Sequence, residues 1–281
     1  MSIMKDEILG VDIGGTNIKI GKVVNGVVVQ KCKIPVSREH PEQVTLDNLY
    51  QGLNDLMTAS VKAIGIGVPA VVDIASGTVY DVQNIPSWKK IALKDLVEEK
   101  FKVPVHINND ANCFAIGEKR FGKAQESKNC IALSLGTGMG MGIIINEKLY
   151  NGVLCGAGEI GMLPYLEGIL EHYTGSFFFE REYKDSALSL YHKALEGDEK
   201  ALVAFRDYGI HLAEAIKIIL YMYAPESIIL GGSISNSFQF FEKSLRAGLK
   251  SFAYQKQLEN LKIQTSDLVD SPILGAAALC L

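Results

Sequence analysis

No stretch of this 281-residue chain approaches the ~18 consecutive apolar residues that a membrane span requires; the run IKIILYMYA (216–224) is too short and carries Lys217. Positive charge is in deficit. The 28 Lys and Arg face 32 Asp and Glu, and a net charge of −4 gives nucleic acid or an anionic membrane no electrostatic support. The opening MSIMKDEILG lacks a basic stretch followed by an apolar one, so no secretory leader is expected. Cysteine is sparse. Its five residues (Cys32, Cys113, Cys130, Cys155, Cys280) are odd in number and never spaced C-x-x-C, which argues against a disulfide framework and fits reduced thiols in a cytoplasm. Cys113 then reads as a small buried hydrophobe rather than a nucleophile. Pro- or Ser-rich linkers are missing too, so a domain boundary must be a hinge in packed structure.

What is present is a soluble globular composition, 48% hydrophobic and 21% charged, with length for about two domains. Strand patterns at 8–13 and 18–29 flank a glycine break, with Asn25-Gly26 as the hairpin turn. Leu46, Leu49, Leu53, Leu56 and Met57 recur at helical spacing and predict a helix over 43–61. The segment 62–73 reads as a strand ending at Pro69. A helix over 88–101, a strand over 103–107 and a helix opened by Asn109-Asp110 follow. From Ile131 the pattern restarts with strand, glycine break, strand and a turn at Asn151-Gly152. Helices over 168–196 and 198–224, a strand over 227–232, a helix near 237–250, the strand LKIQTS and the helix PILGAAALCL complete it. The alternation places the chain in the α/β class, and its two similar halves suggest an internal duplication with a boundary near residue 112.

The glycine breaks carry the chemistry. In VDIGGTNIKI (11–20), Gly14 and Gly15 let backbone N–H groups turn inward as a cradle for anionic oxygens, while Thr16 adds a hydroxyl and Lys19 a cation. Asp12, at the strand end, is placed to hold a magnesium ion through water. LGTGMGMG (135–142) repeats the device at Gly136, Thr137 and Gly138 without a charged side chain. Either loop alone reads equally well as a tight turn; two of them point to a phosphate chain. Residues 136–142 are not G-x-G-x-x-G, because position 141 is Met, and GEKRFGKA (117–124) has Ala124 where a P-loop needs Ser or Thr. Asp110 falls in a first helical turn, where free N–H groups and the macrodipole favour a carboxylate, although Asn109 or Asp110 also reads as a plain cap. Glu159 lies in the glycine-flanked turn GAGEIG (156–161), and Glu171 on the helix after it. Isolated carboxylates are usually solvated surface groups; the glycines single out Glu159.

In order, D-x-G-G-T-x-x-K (12–19), GIGVPAVVD (65–73), NIPSW (84–88), NNDAN (108–112), LGTGMGMG, GAGEIG and ILGGSIS (229–235) resemble the ROK family of sugar kinases and repressors. That family lies within the actin/hexokinase/Hsp70 ATPase superfamily, and the resemblance covers nearly the whole chain. It implies an α/β fold of two ribonuclease-H-like (actin-like ATPase) domains with an interdomain cleft for sugar and ATP, usually in a homodimer. The first domain would be 1–112 completed by the last helix, 271–281, and the second 113–270. The resemblance makes Asp110 the catalytic base for the sugar 6-hydroxyl, and Asn84, Asn109, Asp110, Glu159 and Glu171 sugar ligands. Gly14, Gly15, Thr16, Gly136, Thr137 and Gly138 would hold phosphates, with Asp12 and Lys19 beside them. Gly231 and Gly232 would let the nucleoside approach the backbone. One departure stands out. Zinc-bearing members follow GEIG with a histidine and then a cysteine cluster, whereas Met162 and Ile169 occupy ligand positions here in a shortened segment. No structural zinc is expected, and Met162, Leu163, Leu166 and Ile169 are expected to pack as an apolar plug. The same histidine often touches the sugar near its C1/C2 hydroxyls, which leaves the substrate open at that end.

The leading expectation is an ATP- and magnesium-dependent cytoplasmic kinase for the 6-hydroxyl of a hexose, glucose first. N-acetylmannosamine is the main alternative, with fructose and allose behind it. Sugar and ATP are the expected partners, with no nucleic acid and no membrane. A sugar-responsive repressor of the same family needs a DNA-binding region of ~60–80 residues ahead of the D-x-G-G-T motif, and few residues precede Asp12. A sugar-binding protein without activity is the third reading; Asp12, Lys19 and Asp110 together argue against it.

Overall fold

The first glycine break joins two antiparallel strands, β1 (Glu7–Ile13) and β2 (Asn17–Val24), and Asn25 and Gly26 turn β2 into β3 (Val27–Pro35). Both turn residues have positive φ, 50° and 76°, as a tight Asn-Gly hairpin requires. The computed structural model describes residues 7–82 and 84–281; residues 1–6, where no leader is expected, lie outside them. The chain forms two compact units. One comprises Met1–Gln125, Lys148–Ala157 and Leu268–Leu281, the other Glu126–Glu147 and Gly158–Asp267.

In the first unit, α1 (Glu42–Leu56) leads into β4 (Val61–Val68), and β5 (Val71–Asp73), β6 (Thr78–Tyr80) and β7 (Lys90–Ile91) make a small antiparallel sheet. Next come α2 (Leu93–Phe101), β8 (Val105–Asn109) and α3 (Asp110–Phe121). The main sheet runs β3-β2-β1-β4-β8, with β1, β4 and β8 parallel. Leu9, Val11, Ile13, Ile64, Ile66 and Val68 are all buried, which is why these strands read as near-continuous apolar runs. The helix expected over 43–61 stops at Leu56, because Met57 turns to extended backbone. The helix expected from Trp88 begins only at Leu93. Trp88 instead closes a turn, its N–H bonded to the Ile85 carbonyl at 2.8 Å, and its buried indole Nε1–H donates to the Glu42 carbonyl at 3.3 Å. The units divide after Gln125, where the sequence suggested a boundary near 112. Helix α3 stays with the first unit because it packs on the alanine-rich C-terminal helix Ser271–Ala278.

In the second unit, β9 (Cys130–Leu135) and β10 (Met139–Ile145) form the second glycine hairpin. The chain turns at Asn146 and Glu147, with φ of 51° and 67°, before the turn expected at Asn151-Gly152. The short strand β11 (Lys148–Leu149) and the tight turn Val153–Cys155 belong to the first unit. A two-strand hairpin, β12 (Pro164–Tyr165) and β13 (Gly168–Ile169), precedes the helices. The single helix expected over 168–196 is three: α4 (Glu171–Thr174), α5 (Phe177–Tyr183) and α6 (Ala187–Leu195). Gly175 interrupts the first pair, left-handed Lys184 (φ 55°) the second, and Ser186 caps α6 by accepting from the Ser189 N–H. Then α7 (Glu199–Tyr223) leads to β14 (Ser227–Gly231), α8 (Phe238–Leu249), α9 (Gln255–Leu258) and β15 (Lys262–Thr265); the C-terminal helix is α10. Strands β9, β14 and β15 are parallel, so both units share one pattern, a glycine hairpin followed by two parallel strands. The expected apolar plug is absent: Met162, Leu163 and Leu166 are 60%, 41% and 67% exposed. The hairpin β12–β13 is held instead by Tyr165, whose hydroxyl meets His211 Nδ1 at 3.1 Å and whose ring meets Tyr173 edge-on, and by buried Leu170. Among the described residues, no helix is long and apolar enough to cross a membrane.

Candidate active site

Strand register gathers the first unit's candidates at one sheet edge. Asp12 pairs with Lys19 across β2 and with Gly67 on β4, and Val68 pairs with Asn109 on β8. Open α/β sheets bind ligands at such carboxyl ends of parallel strands. Asp12 Oδ2 lies 3.1 Å from Lys19 Nζ. In the turn between them, Gly14 N–H donates to the Asn17 carbonyl at 2.9 Å and Asn17 Nδ2 to Thr16 Oγ1 at 2.8 Å. Gly15 lies flat on Asn84; a Cβ at position 15 would stand 2.7 Å from the Asn84 Cβ. The turn expected to hold phosphate and an expected sugar ligand are therefore neighbours.

Asn109 caps α3 by accepting from the Ala111 N–H at 2.9 Å, and Asp110 Oδ1 accepts from the same N–H at 3.0 Å. Asp110 is exposed in the first helical turn, where the macrodipole favours its charge. Burial, then the Asp110 and Asp12 carboxylates, push the Cys113 thiol well above its ordinary range, which suits the hydrophobe read from the sequence. Beneath Asn109 lies a buried network that sequence reasoning missed. Asn108 Oδ1 accepts from the Asn109 N–H (2.8 Å), Asn112 Nδ2 (2.9 Å) and Cys155 Sγ (3.2 Å), and Asn108 Nδ2 donates to Asn151 Oδ1 at 2.9 Å. The paired asparagines of NNDAN were its only local signal.

In the second unit, Gly136 N–H donates to the Gly138 carbonyl at 3.0 Å, and Thr137 at the tip is exposed. The Glu171 carboxylate reaches this turn, where Oε2 accepts from the Met139 N–H at 2.9 Å. Glu159 is exposed in its own turn, yet partial desolvation, and then the charge of Glu171, raise its carboxyl above the ordinary value. Gly231 pairs with Ser134 on β9, which sets Gly231-Gly232 at the same sheet edge as the 136–138 turn. Among the described residues, no group of three or more His, Cys, Asp or Glu is placed to hold a metal ion.

The sequence model of the ROK family matches residues 8–281. The chain belongs to the ROK family. This ROK protein is 28% identical to a glucokinase of Halalkalibacterium halodurans over 96% of its own length and 94% of that chain. It is also 28% identical to a xylose repressor of Caldicellulosiruptor bescii, over 99% of its length and 79% of the repressor. Its structure resembles that of a ROK family glucokinase from Streptomyces griseus in complex with glucose and AMPPNP. That match has a TM-score of 0.83 at 26% identity and covers 97% and 98% of the two chains. The ROK chain thus has the actin-like ATPase fold, as its motifs led one to expect.

Proposed function

We propose that this ROK chain is an ATP-dependent sugar kinase that phosphorylates the 6-hydroxyl of a hexose, glucose first. The observation that carries the reading is the sheet edge of the first unit, where a carboxylate at a helix N-terminus (Asp110) accompanies a glycine turn with an Asp12–Lys19 pair. A carboxylate there accepts the proton of the hydroxyl as its oxygen bonds to the γ-phosphorus and the bond to the ADP oxygen breaks. Such transfers depend more on alignment and charge neutralisation than on a strong base. Asn84, Asn109, Asp110, Glu159 and Glu171 read sugar hydroxyls through paired donors and acceptors. Backbone N–H groups of Gly14–Thr16 and Gly136–Gly138, with Lys19, receive phosphate oxygens, and Gly231-Gly232 leaves room for the nucleoside.

Magnesium fits this donor set. It usually keeps several waters and takes one or two carboxylates plus substrate phosphates, and Asp12 is one half-buried carboxylate beside a phosphate turn. Asp12 would hold it through water, and the ion would neutralise phosphate charge. A cytoplasmic homodimer with reduced cysteines completes the proposal; no disulfide joins any of the five cysteines in the structure.

N-acetylmannosamine is the second reading, because Met162 leaves the ring's C1/C2 end open. This 60% exposed thioether, three residues beyond Glu159, offers no hydrogen bond to the ring's C1/C2 end, where the family's histidine would stand. The test is coupled ADP release with glucose, mannose, N-acetylmannosamine, N-acetylglucosamine, fructose and allose. Turnover of one sugar fixes the substrate. Sugar binding without ADP release from any member would overturn the kinase reading in favour of a sugar-sensing protein.

A further inference from the structure

Glu171 enters the site as a sugar ligand, yet its carboxylate is engaged with the turn read as the phosphate cradle. Oε2 accepts the Met139 N–H at 2.9 Å, immediately after Gly138. Gly138 has no side chain to spare, because a Cβ there would collide with that same oxygen. The segment that carries Glu171 is fastened to the turn at two more points. Ser176 N–H donates to the Gly136 carbonyl at 2.9 Å, and the buried Thr174 hydroxyl meets Met139 Sδ at 3.1 Å. Tyr208, itself buried, donates to the Thr174 carbonyl at 2.8 Å and backs the assembly. Among the described residues, no protein acceptor takes the N–H of Thr137 or of Gly138.

A glycine-rich turn samples many backbone conformations, and only some of them aim successive N–H groups at one anion. Fixing the Met139 peptide from outside removes that freedom next to the two open donors. We infer that Glu171 is a positioning residue for the nucleotide, bracing the 136–139 turn in its phosphate-receiving conformation through the acceptor oxygen rather than through charge. The inference rests on reading 136–138 as a phosphate turn. One carboxylate then serves both substrates, Oε2 on the turn and Oε1 for a sugar hydroxyl, so that nucleotide and sugar each bias the other's binding through it.

The test separates acceptor from charge. Wild type, Glu171→Gln and Glu171→Leu are titrated with magnesium AMPPNP by calorimetry without sugar, and their melting temperatures are recorded. Glutamine keeps an acceptor for the Met139 N–H and removes a negative charge near the phosphates, so this variant should bind as tightly as wild type or better. Leucine keeps the volume and loses the acceptor, so affinity should fall about tenfold or more. If leucine lowers the melting temperature markedly, Glu171→Ala supplies the same comparison. Equal binding by all variants, or a glutamine variant as weak as leucine, overturns the brace. Absence of AMPPNP binding by the wild type would overturn the kinase reading, and the brace with it.

Discussion

Asp110→Asn separates proton acceptance from everything else this side chain does. Asparagine keeps an oxygen for the Ala111 N–H, which Asp110 Oδ1 meets at 3.0 Å, and Asn109 holds the same N–H at 2.9 Å, so the cap of α3 survives. The charge at the helix N-terminus is lost, at a cost of about 0.3–1 kcal/mol. In a chain of this size that lowers the melting temperature by at most about 4 °C. The capacity to take a proton is lost as well. Removal of a general base costs ~10²–10⁴ in kcat, about 2.7–5.4 kcal/mol of barrier. Because Asp110 is exposed and asparagine still hydrogen-bonds a hydroxyl, the sugar KM should hold. Steady-state ADP release at varied sugar, beside a thermal melt, reads all three quantities. A loss confined to KM, or a kcat still above a tenth of wild type, would refute the assignment of Asp110 as base.

Partial desolvation, and then the charge of Glu171, raise the Glu159 carboxyl, so the folded chain holds that proton more readily than the unfolded chain, and stability falls as pH rises from 4.5 through the raised value. Glu159→Gln should therefore melt higher than wild type at pH 7, with the difference vanishing below 4.5, while sugar affinity drops. Tyr208→Phe leaves the buried Thr174 carbonyl without its 2.8 Å donor and should cost about 1–3 kcal/mol, read by urea denaturation. Met162→Ser and Leu166→Ser, at 60% and 67% exposure, should each change stability by no more than about 0.5 kcal/mol; a larger loss would restore the apolar plug. Protein purified without chelator should contain far less than one zinc per chain by elemental analysis, since Cys155 is committed to Asn108 rather than to a ligand cluster.

The parts of the fold that were legible in the sequence are those set by neighbours in the chain. The β1–β2 hairpin, the Asn25-Gly26 turn and the cap at Asn109 need only a few consecutive residues, and each stands as expected. Asn151-Gly152 carries the same hairpin signal as Asn25-Gly26, yet the chain turns earlier, at Asn146-Glu147. Asn151 is instead drawn to Asn108, 43 positions away, and the backbone pays with left-handed Leu154 and Cys155. The long helix expected over 168–196 is broken by Gly175, by left-handed Lys184 and by the Ser186 cap. Apolar side chains at 162–166 suggested a core that the local chain does not build, because Tyr165 and Leu170 supply the anchoring. The Glu171–Met139 bond spans 32 positions between residue types with no pairing preference. No spacing rule reaches it.

The two glycine turns occupy the same place in the two sheets, between the antiparallel pair that starts each unit, and they face one physical difficulty. Glycine gives the N–H groups their freedom to converge and, for the same reason, leaves the turn poorly defined. Each unit must therefore fix its turn from outside, and the two solutions differ in charge. The first turn is packed on Asn84 and flanked by the Asp12–Lys19 pair, the cation and carboxylate that the proposed function assigns to phosphate and magnesium. The second has no charged residue of its own and is fixed by Glu171, Ser176 and Thr174 from the following segment. If the second turn receives phosphate as proposed, a carboxylate beside it costs Coulomb energy, so what the turn uses is the acceptor oxygen on the Met139 N–H and not the charge. That is why glutamine at position 171, and not leucine, should preserve nucleotide affinity. It also sets apart Asp110, whose proposed work as a base no amide can take over.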